Sequence, residues 1–150
     1  MGSGFEMRIR PAVAADRDWL RSLHQEAYAV LSGRLYDSRA RAWEAGFFTA
    51  RIAHPVDLFI IEADGGGVGA VYIEDRPESV FVESLEVLPD HQGRGAGSFA
   101  LKWVVRRAAS AGQPVTLQVH KVNSEAQRLY AKLGFEVIGE TETHQRMRSK

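Results

Sequence analysis

Val80-Phe81-Val82-Glu83-Ser84-Leu85-Glu86-Val87-Leu88-Pro89-Asp90-His91-Gln92-Gly93-Arg94-Gly95-Ala96-Gly97 is the stretch on which the fold turns. Its first half is an apolar run of strand length closed by Pro89. Its second half is a glycine-rich turn, and beyond it Leu101, Val104, Val105 and Ala108 recur at helical spacing. Such a turn, between a strand and a helix N-terminus, can receive an anion. Glycines let the backbone approach closely, while unpaired N–H groups and the helix dipole favour a phosphate. The chain is therefore expected to bind a phosphate-bearing cofactor or substrate.

Working outward, Met7 to Pro11 alternates and stops at proline, as a short edge strand does. Asp16 is expected to cap a helix with Leu20, Leu23, Ala27, Val30 and Leu31 on its apolar face, broken by Ser32-Gly33. A second helix is expected over about 37–51, with Ala40, Trp43 and Phe47 on one side. Asp57 to Ala63 and Val68 to Glu74 read as strands joined by Asp64-Gly65-Gly66-Gly67, a hairpin signal. After the glycine turn and its helix, Val115 to His120 is a fifth strand. Ser124-Glu125-Ala126-Gln127 matches a capping box, Ala126, Leu129, Tyr130 and Leu133 make one helical face, and Gly134 stops the helix. Two strands, near 135–140 and 143–148, end the chain. The order β-α-α-β-β-β-α-β-α-β-β predicts a single-domain α/β protein of mixed, mostly antiparallel sheet with flanking helices.

Nineteen basic residues balance nineteen acidic ones, so no long-range field favours nucleic acid or an anionic membrane. Anion binding must come from a local site. The absence of cysteine excludes a disulfide framework, a thiolate nucleophile and a cysteine zinc site. His24, His54, His91 and His144 show no metal-ligand spacing, so no metal is expected. No apolar run reaches the ~18 residues of a membrane span and no signal peptide is evident, which makes the cytoplasm the expected compartment. Residues 1–6 read as a flexible tail or vector remnant, and 7–150 as the domain.

Gly95-Ala96-Gly97-Ser98-Phe99-Ala100 also satisfies the dinucleotide pattern with its terminal alanine. That reading needs an early βαβ unit and an acidic residue ending the next strand, where Val119-His120-Lys121 stands instead. A P-loop lacks its closing Gly-Lys-Ser/Thr. A ligand-free glycine connection is the bland alternative. The residues themselves carry a resemblance: Gln92, Gly95 and Gly97 fulfil the Gln/Arg-x-x-Gly-x-Gly/Ala motif by which the GNAT family of N-acetyltransferases binds acyl-CoA. The block Asn123 to Phe135, with Leu129-Tyr130-Ala131-Lys132-Leu133-Gly134-Phe135, resembles that family's Asn…Leu-Tyr-x-x-Leu-Gly-Phe segment, in the family's order and spacing.

The resemblance implies acetyl-CoA as the donor cosubstrate. Backbone N–H groups of Gly93, Arg94, Gly95, Ala96, Gly97 and Ser98 would meet its pyrophosphate, with a charge-assisted contact from Arg94. Gln92 is expected to shape the turn through its backbone. The main-chain groups of Leu85 and Val87 would pair with the pantetheine arm and polarise the thioester, their side chains lying in the core. Asn123 is implied as a side-chain ligand to that arm, or as a helix-entry residue, or both. Tyr130 is either a buried aromatic or, as the resemblance implies, the proton donor to the departing thiolate. A thiol of pKa ~8.5 leaves more readily when it is protonated.

An alkyl ammonium of pKa ~10.4 must lose a proton before it attacks. Glu83 and Glu86 interrupt an apolar strand on opposite faces, and an acid there is costly unless paired or used. Either could be the base, the plain alternatives being a salt bridge to an arginine or a solvated position where the sheet opens. His120, ending the fifth strand, is a third candidate. Tyr28, Tyr36, Trp43, Glu44, Phe47 and Phe48 could line an amine pocket. The expected activity is transfer of an acetyl group to a primary amine, of a small molecule or a protein, by direct attack in a ternary complex. A non-catalytic acyl-CoA sensor of the same fold and a nucleotide-dependent oxidoreductase are the rivals, and a homodimer is left open.

Overall fold

The computed structural model describes residues 6–32 and 57–150, with side chains from 6–27 and 57–150. The expected second helix and all six amine-pocket candidates lie outside the described side chains. Two compact units divide the chain: Met1–Tyr72 with Ser84–Ala96, and Ile73–Glu83 with Gly97–Lys150. One seven-stranded sheet contains all the strands, in the order β1-β2-β3-β4-β5-β7-β6. No described helix is long and apolar enough to cross a membrane.

The first unit contains β1 (Met7–Pro11), α1 (Arg17–Ser32), β2 (Leu58–Ala63), most of β3 (Gly66–Asp75) and the second half of β4 (Val80–Val87). β1 and β2 pair antiparallel from Met7↔Ala63 to Pro11↔Phe59. β2 and β3 form the expected hairpin, closing at Ala63↔Gly66. Asp64 (φ 53°) and Gly65 (φ 84°) are both left-handed, as a two-residue turn between twisted strands requires. Leu20 and Leu23 of α1 pack with Ala12, Leu58, Ile60 and Ala70, flanked by Trp19, Tyr72 and Leu88. Burying each leucine contributes about 1.5–3 kcal/mol, which fixes α1 against the strands.

The start of α1 differs from expectation. Asp16 is the last residue of a 3-10 turn, Ala14–Asp16, and not the cap of α1. Its Oδ2 accepts from the Val13 N–H at 2.8 Å, and both of its oxygens accept from Arg10 at 2.9 Å. Arg10 also reaches Glu62, the one buried charged residue in the described set, at 2.9 Å, and Arg8 adds a bond at 3.1 Å. These arginines, chiefly Arg10, hold the Glu62 carboxyl below its ordinary range despite burial, and Arg10 does the same for Asp16.

The second unit contains the first half of β4, α2 (Ala96–Ser110) from Gly97 on, β5 (Val115–His120), α3 (Ser124–Lys132), β6 (Glu136–Glu140) and β7 (His144–Arg148). The β4–β5 ladder is parallel and pairs Val80, Phe81 and Val82 with Val115, Thr116 and Leu117. β5 buries Val115, Leu117 and Val119 and exposes Gln118, the alternation of a half-covered strand. Ala100, Leu101, Val104 and Ala108 of α2 are fully buried. β7 pairs antiparallel with β5 and with β6, the latter through an irregularity between Val137 and Gly139 that leaves Val137 and Ile138 half exposed.

Both ends of α3 are set locally. Its cap is Asn123, one residue before the expected Ser124: Asn123 Oδ1 accepts from the Ala126 N–H at 3.2 Å. Gln127 does not reach back to the cap, but donates to the His120 and Lys121 carbonyls at 3.2 and 2.8 Å. At the other end Gly134 (φ 92°) turns the chain, the Gly134 N–H reaches the Ala131 carbonyl and the Phe135 N–H that of Tyr130, both at 3.0 Å. This is the Schellman arrangement, and the rings of Tyr130 and Phe135 make its hydrophobic contact at 6.0 Å.

Candidate active site

In the first unit, β4 runs into a 3-10 turn, Pro89–His91, and then into the glycine turn. Gly93 (φ 76°) and Gly95 (φ 91°) are left-handed, so an L side chain at either would be strained. A Cβ at Gly93 would meet nothing within 4 Å, and one at Gly95 only Met7 Cε at 3.9 Å. The backbone angle, not crowding by the protein, demands glycine here. Gln92, Gly93, Arg94 and Gly95 are exposed, and Ala96, 4% exposed, anchors the start of α2. The first N–H groups of that helix have no intrahelical acceptor, and no acidic side chain occupies its first turn. The positive end of the helix thus lies on a solvent-open turn with no acidic side chain in its own first turn, and Arg94 adds a full charge.

Gln92 acts through its side chain and not only through its backbone, since Nε2 donates to the Val87 carbonyl at 3.1 Å and straps the turn to β4. Nor are Leu85 and Val87 core residues: every residue from Glu83 to Val87 is half-buried, whereas Val80 and Val82 are buried. Glu86 is paired with a histidine, which is neither the arginine salt bridge nor the solvated position that were its plain alternatives. Its Oε2 lies 2.8 Å from His24 Nδ1, both side chains being nearly enclosed, and Oε1 is buried without a hydrogen-bond partner. The β4 backbone at this point is fixed by Gly69 of β3, where a Cβ would overlap the Glu86 carbonyl oxygen.

In the second unit Glu83 is half-buried, and Gly97 and Ser98 continue the first turn of α2. His120 Nδ1 accepts from the Val122 N–H at 3.2 Å, which uses its lone pair and leaves the ring proton on Nε2. Its ring stands edge-on to His144, the residue opposite it on β7, at 4.8 Å and 65°. Burial pushes both imidazoles below their ordinary pKa, and for His144 the neighbouring His120 lowers it further. His120 at neutral pH is a donor through Nε2, not a poised base. The Asn123 N–H bonds the His120 carbonyl at 2.9 Å, bringing those two candidates together, and the Asn123 side chain serves as the cap. Tyr130 is 8% exposed, and burial pushes its phenol up to about 12. It stays protonated throughout the physiological range.

Sequence reasoning missed His24 and His144. His24 had a signal, since it follows Leu23 and stands four residues after Leu20, at the margin of an apolar helix face. His144 had none, because only the β5–β7 register sets it opposite His120.

The sequence profile of the Acetyltransferase (GNAT) family matches residues 17–135. Uncharacterized N-acetyltransferases of Mycobacterium tuberculosis and Mycobacterium bovis are 38% identical over 78 residues, which is 51% of this chain and 50% of theirs. The match thus spans about half the length of these curated relatives. The fold is similar to that of the PaiA N-acetyltransferase from Thermoplasma acidophilum, with a TM-score of 0.80 and 19% identity over 97% of this chain and 99% of that one. It is also similar to YncA, a putative acetyltransferase from Salmonella typhimurium, with a TM-score of 0.65 and 24% identity over 97% and 94%. With the profile covering most of the chain, and both the glycine turn and the Asn123–Phe135 block falling inside it, the chain belongs to the GNAT acetyltransferase family.

Proposed function

We propose that this chain moves an acetyl group from acetyl-CoA to a primary amine by direct attack in a ternary complex. The observation that carries the proposal is the open glycine turn at a helix N-terminus whose first turn holds no acidic side chain, in a chain of this family. The two solved relatives, PaiA with coenzyme A and YncA with acetyl-CoA, support the choice of cosubstrate. Backbone N–H groups of Gly93 to Ser98, with Arg94, receive the pyrophosphate. The main chain of Leu85 and Val87, with Asn123, receives the pantetheine arm. The sequence holds no cysteine through which a thioester-enzyme could form.

Among the candidate bases, Glu86 is assigned the role. Its Oε1 accepts no hydrogen bond among the described residues, whereas the Nδ1 lone pair of His120 is taken. Glu86 removes one proton from the ammonium and the neutral amine forms its C–N bond at the thioester carbon. The C–S bond then breaks, the nitrogen gives its second proton to water, Tyr130 protonates the thiolate and recovers its own proton from solvent, and Glu86 releases the first proton to solvent. The burial-raised pKa of Tyr130 keeps that proton in place until it is needed.

The test is release of CoA thiol from acetyl-CoA against amino acids, polyamines, aminoglycosides and peptides with N-terminal or lysine amines. Turnover with one class supports the proposal and names the acceptor. Binding of acetyl-CoA with silence across the panel favours a sensor, and saturable binding of NAD or NADP without CoA overturns the reading.

A further inference from the structure

We infer that His24 is a positioning residue for Glu86, holding the carboxylate so that Oε1 is the oxygen that takes the amine's proton; this rests on the assignment of Glu86 as base. The two side chains lie 62 residues apart in sequence, yet His24 Nδ1 and Glu86 Oε2 are 2.8 Å apart, with 12% and 13% of each side chain exposed. An ionised carboxylate can only accept, so Nδ1 must carry the imidazole proton. One oxygen is thereby tied and the other, Oε1, is buried and accepts nothing. A buried acceptor left without a donor is costly to maintain, and such atoms in native proteins need a reason.

Both ends of the pair are held rigidly. Leu20 and Leu23, 1% and 0% exposed, pin α1 one turn before and immediately beside His24. At the other end β3 presses on the backbone of Glu86: a Cβ at Gly69 would overlap the Glu86 carbonyl oxygen and stand 3.3 Å from Val87 Cα. The backbone that carries the carboxylate is thus closely backed by β3, and Oε1 has no hydrogen-bond partner among the described residues. In the reaction an ammonium N–H bond breaks and an O–H bond forms on Oε1, directly or over one water. Oε2 of the resulting neutral acid continues to accept from His24, so the pair needs no rearrangement when the proton arrives.

The experiment compares His24→Leu, His24→Asn, Glu86→Gln and the Leu–Gln double variant. Asparagine keeps an N–H near the position of Nδ1, and leucine keeps the bulk without the donor. The readouts are acetyl-CoA affinity by calorimetry, and kcat and KM with whichever panel amine is turned over. We expect His24→Leu to lower kcat by roughly 30-fold with acetyl-CoA affinity within about twofold, because only a transition-state role has been removed. His24→Asn should return to within about fivefold of wild type, and the double variant should be no slower than Glu86→Gln, as residues acting as a unit are non-additive. A wild-type rate in Glu86→Gln would remove the base assignment itself. A slow Glu86→Gln beside a fast His24→Leu, or an equally slow His24→Asn, would overturn the positioning role alone. Imidazole ¹⁵N shifts of the wild-type protein need neither an acceptor amine nor a folded variant: a His24 Nδ1–H tautomer supports the pair, and an Nε2–H tautomer refutes it.

Discussion

Gly69→Ala is the sharpest single perturbation of the strand that carries Glu86. The added Cβ would overlap the Glu86 carbonyl oxygen and lie 3.2 Å from Ile61 Cδ1 and 3.3 Å from Val87 Cα. Two of these three neighbours are backbone in the interior of a sheet and cannot swing aside. The usual cost of overpacking, about 1–3 kcal/mol, should therefore be met near its upper end. With a urea m-value of about 2 kcal/mol/M, the unfolding midpoint should fall by about 1.5 M. Tryptophan fluorescence in a urea titration measures this directly. Gly139→Ala is the control: its Cβ would meet nothing within 4 Å, and its midpoint should not move. A second effect follows at the site. Relief of the clash must shift β4 by a fraction of an ångström at Glu86, so turnover in the surviving folded protein should fall about tenfold, misplacement of a reacting group being costly. If Gly69→Ala unfolds at the wild-type midpoint and turns over at the wild-type rate, β3 and β4 do not approach as closely as described and the reasoning fails.

Tyr130→Phe should keep acetyl-CoA affinity and the Phe135 contact while lowering kcat by about 10²-fold, read by thiol release; an unchanged rate would remove its proton-donor role. Gly134→Ala places a Cβ on a residue at φ 92° and should cost about 1 kcal/mol of stability by urea titration, with open space around it offering no other cause. Acid should destabilise the first unit in a defined window. Asp16 and Glu62 have folded pKa values below their ordinary 3.8 and 4.5, so their contribution is present above those values and lost as pH falls through the folded ones. Thermal melts followed from about pH 6 to about pH 2 should show Tm dropping below about pH 4.5, and Arg10→Met should flatten that drop at the expense of stability at neutral pH.

Where local chemistry decides a feature, the sequence announces it. Asp64-Gly65 gives the hairpin because only such residues take two consecutive left-handed angles, and Gly134 with Phe135 gives the stop of α3 for the same reason. β5 was legible over Val115–His120, bounded by Pro114 and alternating in apolar character. Tertiary partners decided the rest. Asp16 reads as a helix cap by itself, but Arg10 of β1 draws its carboxylate across and leaves a 3-10 turn before α1. Gln127 would be the third residue of a box capped at Ser124, but the helix is capped one residue earlier by Asn123, and Gln127 binds the His120 and Lys121 carbonyls instead. Half of the candidate site was visible, since the glycine turn and the block around Tyr130 are local patterns. The His24–Glu86 pair was not, because no spacing rule links a helix near the start of the chain to a strand 62 residues later.

The irregular last hairpin bears on how this protein behaves in a crowded solution. β6 ends the sheet order, and Val137 and Ile138 on it are 52% and 51% exposed. A straight edge strand with those residues would be a template for joining another chain. The register shift between Val137 and Gly139 interrupts its row of backbone donors and acceptors, and Glu136 and Glu140 stand as charges at either end. At this edge of a chain of zero net charge, one extra residue in the ladder breaks the regular strand that pairing with another chain would need.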